Sequence, residues 1–158
     1  MDEHILRGIG FGTASGVITT LGLIFGLEAT TGSKFVIIGG IVSIAIADAL
    51  SDAMGIHISE EATSNNHRQI WETTAATFLF KFFVALTFLI PVLLMELKTA
   101  ILVDLVWGIS ILIGLSFKLA KMKDENPWAS VFEHTSIAIA VVLITKVVGS
   151  FIKSQFGL

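Results

Sequence analysis

Five apolar segments, each long enough to cross a lipid bilayer, divide the chain from one end to the other. A helix needs about 20 apolar residues to cross the hydrocarbon core, and only helices and closed barrels satisfy their backbone hydrogen bonds there. We therefore predict an all-α integral membrane protein, a single domain of residues 1–158 that forms a bundle of five transmembrane helices. The segments lie near residues 5–27, 35–59, 70–94, 100–121 and 128–152.

The composition agrees with a membrane protein and excludes several other classes. Hydrophobic residues make up 54% of the chain and charged residues 15%. The net charge is -3 and the lysines and arginines are scattered, so we expect no nucleic-acid binding. The chain has no cysteine, which excludes disulfides and thiolate ligands. No serine–histidine–acid arrangement, zinc-protease motif or phosphate-binding loop is present, so we expect neither an enzyme nor a tightly bound cofactor.

The charged residues outside the apolar segments predict the orientation in the membrane. Cytoplasmic loops carry an excess of lysine and arginine, and the two sides differ here by five to three. We predict a cytoplasmic N-terminus, an outward C-terminus and a prokaryotic plasma membrane. The acidic start and the lack of a small-residue cleavage site predict a retained first helix rather than a signal peptide. The counted residues are Arg7, Arg68, Lys118, Lys121 and Lys123 on one side and Lys34, Lys98 and Lys153 on the other.

Two aspartates stand four residues apart inside the second apolar segment. Asp48 and Asp52 share one face of the predicted helix with Ser51, Gly55 and Ser59, within an arc of roughly 100°. Because carboxylates are costly in hydrocarbon, this face should look at another helix, a second subunit or a water-filled path. Its carboxylate and hydroxyl oxygens suit a cation or a proton.

A second arc of the same helix carries a mixed set of ligands. Met54, His57 and Glu61 offer a thioether, an imidazole and a carboxylate within roughly 60°. Together with Glu60 they form a predicted inner vestibule, where a divalent cation can collect before it enters the membrane. The alternative is a solvated acidic helix end that binds nothing.

Glycines in the first segment recur at every fourth position. Gly8, Gly12 and Gly16 allow two helix backbones to approach closely, which is how membrane helices associate. The spacing predicts a packing seam, either within the chain or at a homodimer axis. The interleaved Ser15 and Thr19 are predicted to line a path beside the aspartate face, together with residues of the second segment.

Two lysines lie inside apolar segments. Lys81 can either extend to the cytoplasmic interface or pair with an aspartate of the second segment. Lys146 needs an anion or a water path, and the aspartates are the nearest anions. This gives the alternative function, a non-transporting membrane protein in which Asp48, Asp52 and Lys146 form a structural ionic lock.

Two further residues of interest, Pro91 and Asp104, lie near the predicted outer side. Pro91 predicts that the third helix bends or ends near its far end, because proline cannot donate a helical hydrogen bond. Asp104 lies near the outer end of the fourth segment. We expect its carboxylate to reach the interface and to act as part of the scaffold.

Short motifs in the first two segments resemble those of the vacuolar iron transporter family. Residues 14–22 are similar to that family's first-helix pattern, and residues 47–59 to its A-G-A-L-S-M-A-A-G-E-Y-x-S segment. Weaker similarity follows at residues 76–78, 90–91 and 148–149. The resemblance implies a dimeric five-helix antiporter that exports ferrous iron or manganese in exchange for protons. It also implies a path lined by the first two helices of both subunits.

Several residues differ from the family pattern. Ser15 stands for an aspartate, Asp48 for a glycine, Asp52 for a methionine, Ile56 for a glutamate and His57 for a tyrosine. The differences move a carboxylate from the first helix to the second and exchange a soft ligand for a hard one. By ligand softness, the site should accept manganese or magnesium at least as well as iron.

The function predicted from these observations is transport of a divalent metal cation. We predict that a homodimer in the lipid bilayer exports iron or manganese with proton coupling. Asp48 and Asp52 bind the ion in the middle of the path, and Ser51 and Ser59 contribute oxygen ligands.

Overall fold

A computed structural model describes residues 2–157 as helices joined by short turns. Because α3 and α4 follow each other along one span, five helical stretches are long and apolar enough to cross a membrane. This confirms the predicted all-α fold with five candidate spans, whose limits fall within a few residues of the predicted ones. The helices are α1 Glu3–Thr31, α2 Lys34–Glu61, α3 His67–Thr87, α4 Leu89–Leu94, α5 Leu97–Met122 and α6 Pro127–Phe156.

The helix ends follow local signals in the sequence. Gly32 ends α1 with φ 60°, a left-handed conformation that glycine adopts without strain. The side chains of Ser33, Asn66 and Asn126 cap the starts of α2, α3 and α6 by accepting backbone N–H hydrogen bonds. Pro127 occupies the first turn of α6, where its missing N–H costs nothing.

Helix α1 is the centre of the bundle. It packs against α2, α3, α5 and α6. Of the most apolar 18-residue stretch of α1, 61% is buried, against 17% of the corresponding stretch of α6. The glycine seam faces α3: a Cβ on Gly8 would lie 2.5 Å from the carbonyl oxygen of Thr73, and one on Gly12 2.5 Å from that of Thr77. The structure therefore uses the seam within the chain, one of the two uses that the spacing allowed.

The third span is broken near its far end. Helix α3 ends at Thr87 and α4 begins at Leu89, so the break falls at Phe88, three residues before Pro91. Pro91 has no N–H to donate to the carbonyl of Thr87, four residues earlier. On α5, Trp107 Nε1 donates to Thr87 Oγ1 at 3.0 Å and holds α5 against the break. The predicted interruption of this helix is confirmed.

Candidate functional site

A charged cluster at the middle of the bundle joins α1, α2 and α3. Lys81 Nζ lies 2.7 Å from Asp48 Oδ2 and also contacts Asp52 Oδ2. The same ammonium donates to Ser15 Oγ at 3.0 Å, and Ser15 Oγ donates to Asp52 Oδ2 at 2.6 Å. The contact with Asp48 is an ion pair without hydrogen-bond geometry. We call these four residues the central cluster.

The small residues of α1 and α2 bring the central cluster together. A Cβ on Gly16 would lie 3.2 Å from the carbonyl oxygen of Lys81, so α1 lies directly on the α3 backbone at this point. On α2, Ala49 and Ala53, which directly follow the two aspartates, are both buried. Because neither helix presents a large side chain here, the stem of Lys81 passes between them and its ammonium reaches both carboxylates.

The two signs of charge in the cluster differ in their exposure. The Lys81 side chain is 1% exposed, whereas those of Asp48 and Asp52 are 31% and 23% exposed. With all three groups ionised, the cluster carries one negative charge in excess. The pairing offsets much of the cost of placing these charges at the middle of membrane spans. The carboxylates nevertheless reach the outer surface of the bundle, where lipid offers them no hydrogen bonds.

An exposed row of small residues runs along α2 beside the carboxylates. A Cβ built on Gly39 or Gly55 would meet no atom within 4 Å, so this side of α2 is unpacked in the single chain. The predicted site residues Ser51 and Ser59 belong to this row and make no side-chain hydrogen bond within residues 2–157. We call it the α2 row, and its members are Gly39, Ser43, Ala47, Ser51, Gly55 and Ser59.

The predicted vestibule residues divide between inward and outward positions. Glu60 is buried and accepts a 2.6 Å hydrogen bond from Arg7 Nη1 on α1. Met54 is 54% exposed on the outside of α2, and Glu61 is exposed as well. These three side chains therefore do not converge on one ligand site. Glu60 is instead paired with Arg7 inside the bundle, and the shared vestibule stays a prediction.

His57 lies at the same end of the bundle and packs against α3. Its Nδ1 is 2.9 Å from Thr74 Oγ1, its Nε2 is 3.5 Å from Glu61 Oε1, and its ring lies edge-on to Trp71. These contacts fix the imidazole between α2 and α3. Only Glu61, one turn later on α2, accompanies it as a second ligand.

The structure also brings together a group that the sequence analysis did not find. Ligand atoms of Asp2, His4 and Glu72 lie within 4.8 Å of one another at the end where α1 begins. His4 Nε2 and Glu72 Oε2 are 2.7 Å apart, and Arg68 Nε donates to the other oxygen of Glu72. His4 and Glu72 lie 68 positions apart in the chain, so no local spacing in the sequence could show this pairing.

The structure decides between the two alternatives for Lys81, and two expectations about other residues are wrong. Lys81 pairs with the aspartates, and it takes the place that the ionic-lock hypothesis gave to Lys146. Lys146 is exposed on α6 and forms no ion pair within the described chain. Asp104 does not reach an interface: it is completely buried. Thr19, a predicted path residue, donates to the backbone of Ser15.

Comparison of the chain with models of known protein families and with curated protein sequences finds no match.

Proposed function

We propose that the protein is a proton-coupled transporter of a divalent cation, iron or manganese, and that it works as a homodimer. The observation that carries the proposal is the partial exposure of Asp48 and Asp52 on the outer surface of the bundle, at the middle of α2. Lipid cannot solvate carboxylates at that depth, so a second subunit or an aqueous path must cover them.

A second copy of the chain fits the surface beside these carboxylates. The α2 row presents small residues at four-residue spacing and leaves open space beyond Gly39 and Gly55. Rows of this kind let membrane helices approach closely. Two α2 helices that meet along their rows would bring four carboxylates to one interface, and four carboxylates form an oxygen-rich site suited to a divalent cation. We place the N-terminus in the cytoplasm and the direction of transport outward.

Lys81 supplies the coupling to protons in this proposal. Its ammonium lies between the two carboxylates. A divalent cation that binds there repels the ammonium, which must leave the space between the carboxylates or give up its proton. Within each subunit, two carboxylates, one divalent cation and a neutral amine sum to zero charge, so the proposed interface binds one cation per subunit. Binding of the metal thus releases about one proton.

The motif resemblance to vacuolar iron transporters supports the same class of function. The resemblance implies a path lined by the first and second helices. In this chain Ser15 on α1 and Asp52 on α2 lie on that predicted path, and they share a 2.6 Å hydrogen bond. The oxygen ligands of the central cluster favour manganese, and magnesium competes with it, because no soft ligand belongs to the cluster. We propose no catalytic activity.

A direct test measures metal and proton movement in reconstituted vesicles. Purified protein in liposomes is given manganese, and a pH-sensitive dye reports the counter-movement of protons. We expect transport by the wild type, none by Asp52→Asn, and wild-type rates for Lys146→Met, whose lysine is exposed and outside the cluster. Wild-type rates in Asp52→Asn would contradict the proposed role of this carboxylate.

Calorimetry separates the role of Lys81 from that of the carboxylates. Manganese titrated in buffers of different protonation enthalpy should release about one proton per bound metal in the wild type. Lys81→Arg keeps a cation between the carboxylates but cannot lose its proton, so we expect it to fold and not to bind manganese. Unchanged binding by Lys81→Arg would contradict the proposed displacement.

A second candidate function is a structural ionic lock in a membrane protein that transports nothing. It is favoured by the complete burial of Lys81 and by its contacts with both carboxylates. Under this hypothesis manganese, iron and magnesium leave the thermal unfolding temperature unchanged, since only a ligand that binds the native state raises it. Lys81→Arg then affects stability alone.

A further inference from the structure

Asp104 on α5 is a buried carboxyl group without a hydrogen-bond partner. Its side chain is completely buried, and neither of its oxygens has a partner within residues 2–157. One turn later, Gly108 packs on Leu21 of α1, where a Cβ would lie 2.8 Å from the leucine side chain. Trp107, three residues after Asp104, donates to Thr87 at the α3–α4 break. Asp104 therefore lies where α5 meets both α1 and the broken span.

No counter-charge reaches this carboxyl group in the described structure. Helix α5 packs on α1, α4 and α6. Helix α4 carries no titratable residue, and neither α1, α6 nor α5 itself forms an ion pair with Asp104. Lys81 of α3 is held by the two aspartates of α2. The titratable residues of the packed helices are Glu3, His4, Arg7 and Glu28 on α1, Lys98, Lys118 and Lys121 on α5, and Glu133, His134, Lys146 and Lys153 on α6.

An unpaired carboxylate in a dry apolar environment costs far more than a neutral carboxylic acid. Proteins generally avoid the cost by neutralising the group rather than by burying the bare charge. The neighbouring turns of α5 are apolar: Ala100, one turn earlier, is fully buried in the hydrophobic core, and Gly108, one turn later, packs on α1. The group thus differs from Asp48 and Asp52, whose charges are matched by a lysine.

We propose that Asp104 is a proton-binding site, occupied in this conformation and separate from the central cluster. The adjacent break in the third span is where the proton exchanges with water. Pro91 leaves the carbonyl of Thr87 without its helical donor, so the break offers a backbone acceptor to which water can bind. This inference goes beyond the proposed metal transport and does not depend on it.

Infrared spectroscopy of the full-length protein in lipid bilayers tests the protonation state directly. At neutral pH we expect the carbonyl stretch of a protonated carboxylic acid in the wild type and its loss in Asp104→Asn. Asp52→Asn is the matched control, because its carboxylate is ion-paired, and it should keep the band. Absence of the band in the wild type, or its persistence in Asp104→Asn, would overturn the proposal.

Unfolding across a range of pH gives a second readout that does not need the vibrational assignment. A proton held in the native state and released on unfolding makes the wild type less stable as the pH rises above the usual range of a carboxyl group. As the pH rises, the unfolding temperature of Asp104→Asn should therefore increase relative to that of the wild type. A constant difference would contradict the proposal. Neither measurement involves a metal ion, so metal transport and this proton site can fail independently.

Discussion

The α1–α3 interface and the outer face of α2 carry similar rows of small residues, and the fold uses them in opposite ways. On α1, Gly8 and Gly12 lie against the α3 backbone with no room for a Cβ. On α2, the row that includes Gly39 and Gly55 has open space beside both glycines. The comparison shows that four-residue spacing marks a close helix contact without identifying the partner, which is α3 in one case and, in our proposal, a second subunit in the other.

The largest expected effect concerns Lys81, which belongs to α3 and pairs with the two aspartates of α2. Lys81→Met leaves two carboxylates at the middle of the bundle without their cation, and the loss of one partner of a buried ion pair costs about 3–5 kcal/mol. We expect a corresponding loss of unfolding free energy in detergent. Lys146→Met is the matched control and should not reproduce this loss, because Lys146 forms no ion pair within the described chain. Equal effects of the two variants would contradict the importance of the pairing.

The next effect distinguishes the two rows by a single methyl group. In Gly12→Ala the new Cβ would lie 2.5 Å from the carbonyl oxygen of Thr77, so the helix backbones must separate. We expect a loss of about 1–3 kcal/mol in thermal or chemical unfolding. In Gly55→Ala the new Cβ meets no atom within 4 Å, and we expect a gain of about 0.5–1 kcal/mol in the single chain, because alanine favours a helix over glycine. If Gly55→Ala proved the more damaging of the two in monomeric protein, the assignment of the rows would be reversed.

A bulkier substitution tests whether the α2 row is a subunit interface. Gly55→Leu should weaken the dimer at least about tenfold, equivalent to about 1.4 kcal/mol, because it separates two helices that pack through small residues. Gly114→Leu on α5 is the matched control, since that glycine is also exposed with nothing within 4 Å. Molecular mass measured by light scattering over a dilution series reports the difference. A monomeric wild type would remove this interface from the proposal.

The smallest expected effect is a gain in unfolding free energy, whereas Lys81→Met and Gly12→Ala lose stability. Thr20 continues the α1 row one turn beyond Gly16, and its hydroxyl is buried without a hydrogen-bond partner in the described chain. Thr20→Val keeps the shape and removes the unsatisfied group, so we expect a gain of about 1 kcal/mol in unfolding free energy. Ser51→Ala on the exposed α2 row should change it by less than half as much. A loss of stability in Thr20→Val would indicate that the hydroxyl has a partner, such as a buried water.

The sequence predicted the spans well because their signal is local. Hydropathy and segment length mark each helix within a few residues, and Pro91 indicated the interruption of the third span. The aspartate face of α2 was also predictable, because residues one turn apart share a side of a helix. The partner of that face was not, since Lys81 lies 29 residues from Asp52 along the chain and two interpretations were open for it.

What the sequence determined by itself is the number of spans, the shared face of Asp48 and Asp52 and the close contact at the α1 glycines. Each of these follows from interactions within one helix or from the cost of polar groups in hydrocarbon. Only the tertiary structure decided that Lys81 rather than Lys146 lies between the aspartates, and that Asp104 is enclosed without a partner among residues 2–157. These facts depend on which helices become neighbours, and apolar helices in a membrane choose neighbours through packing of surfaces that no local spacing specifies.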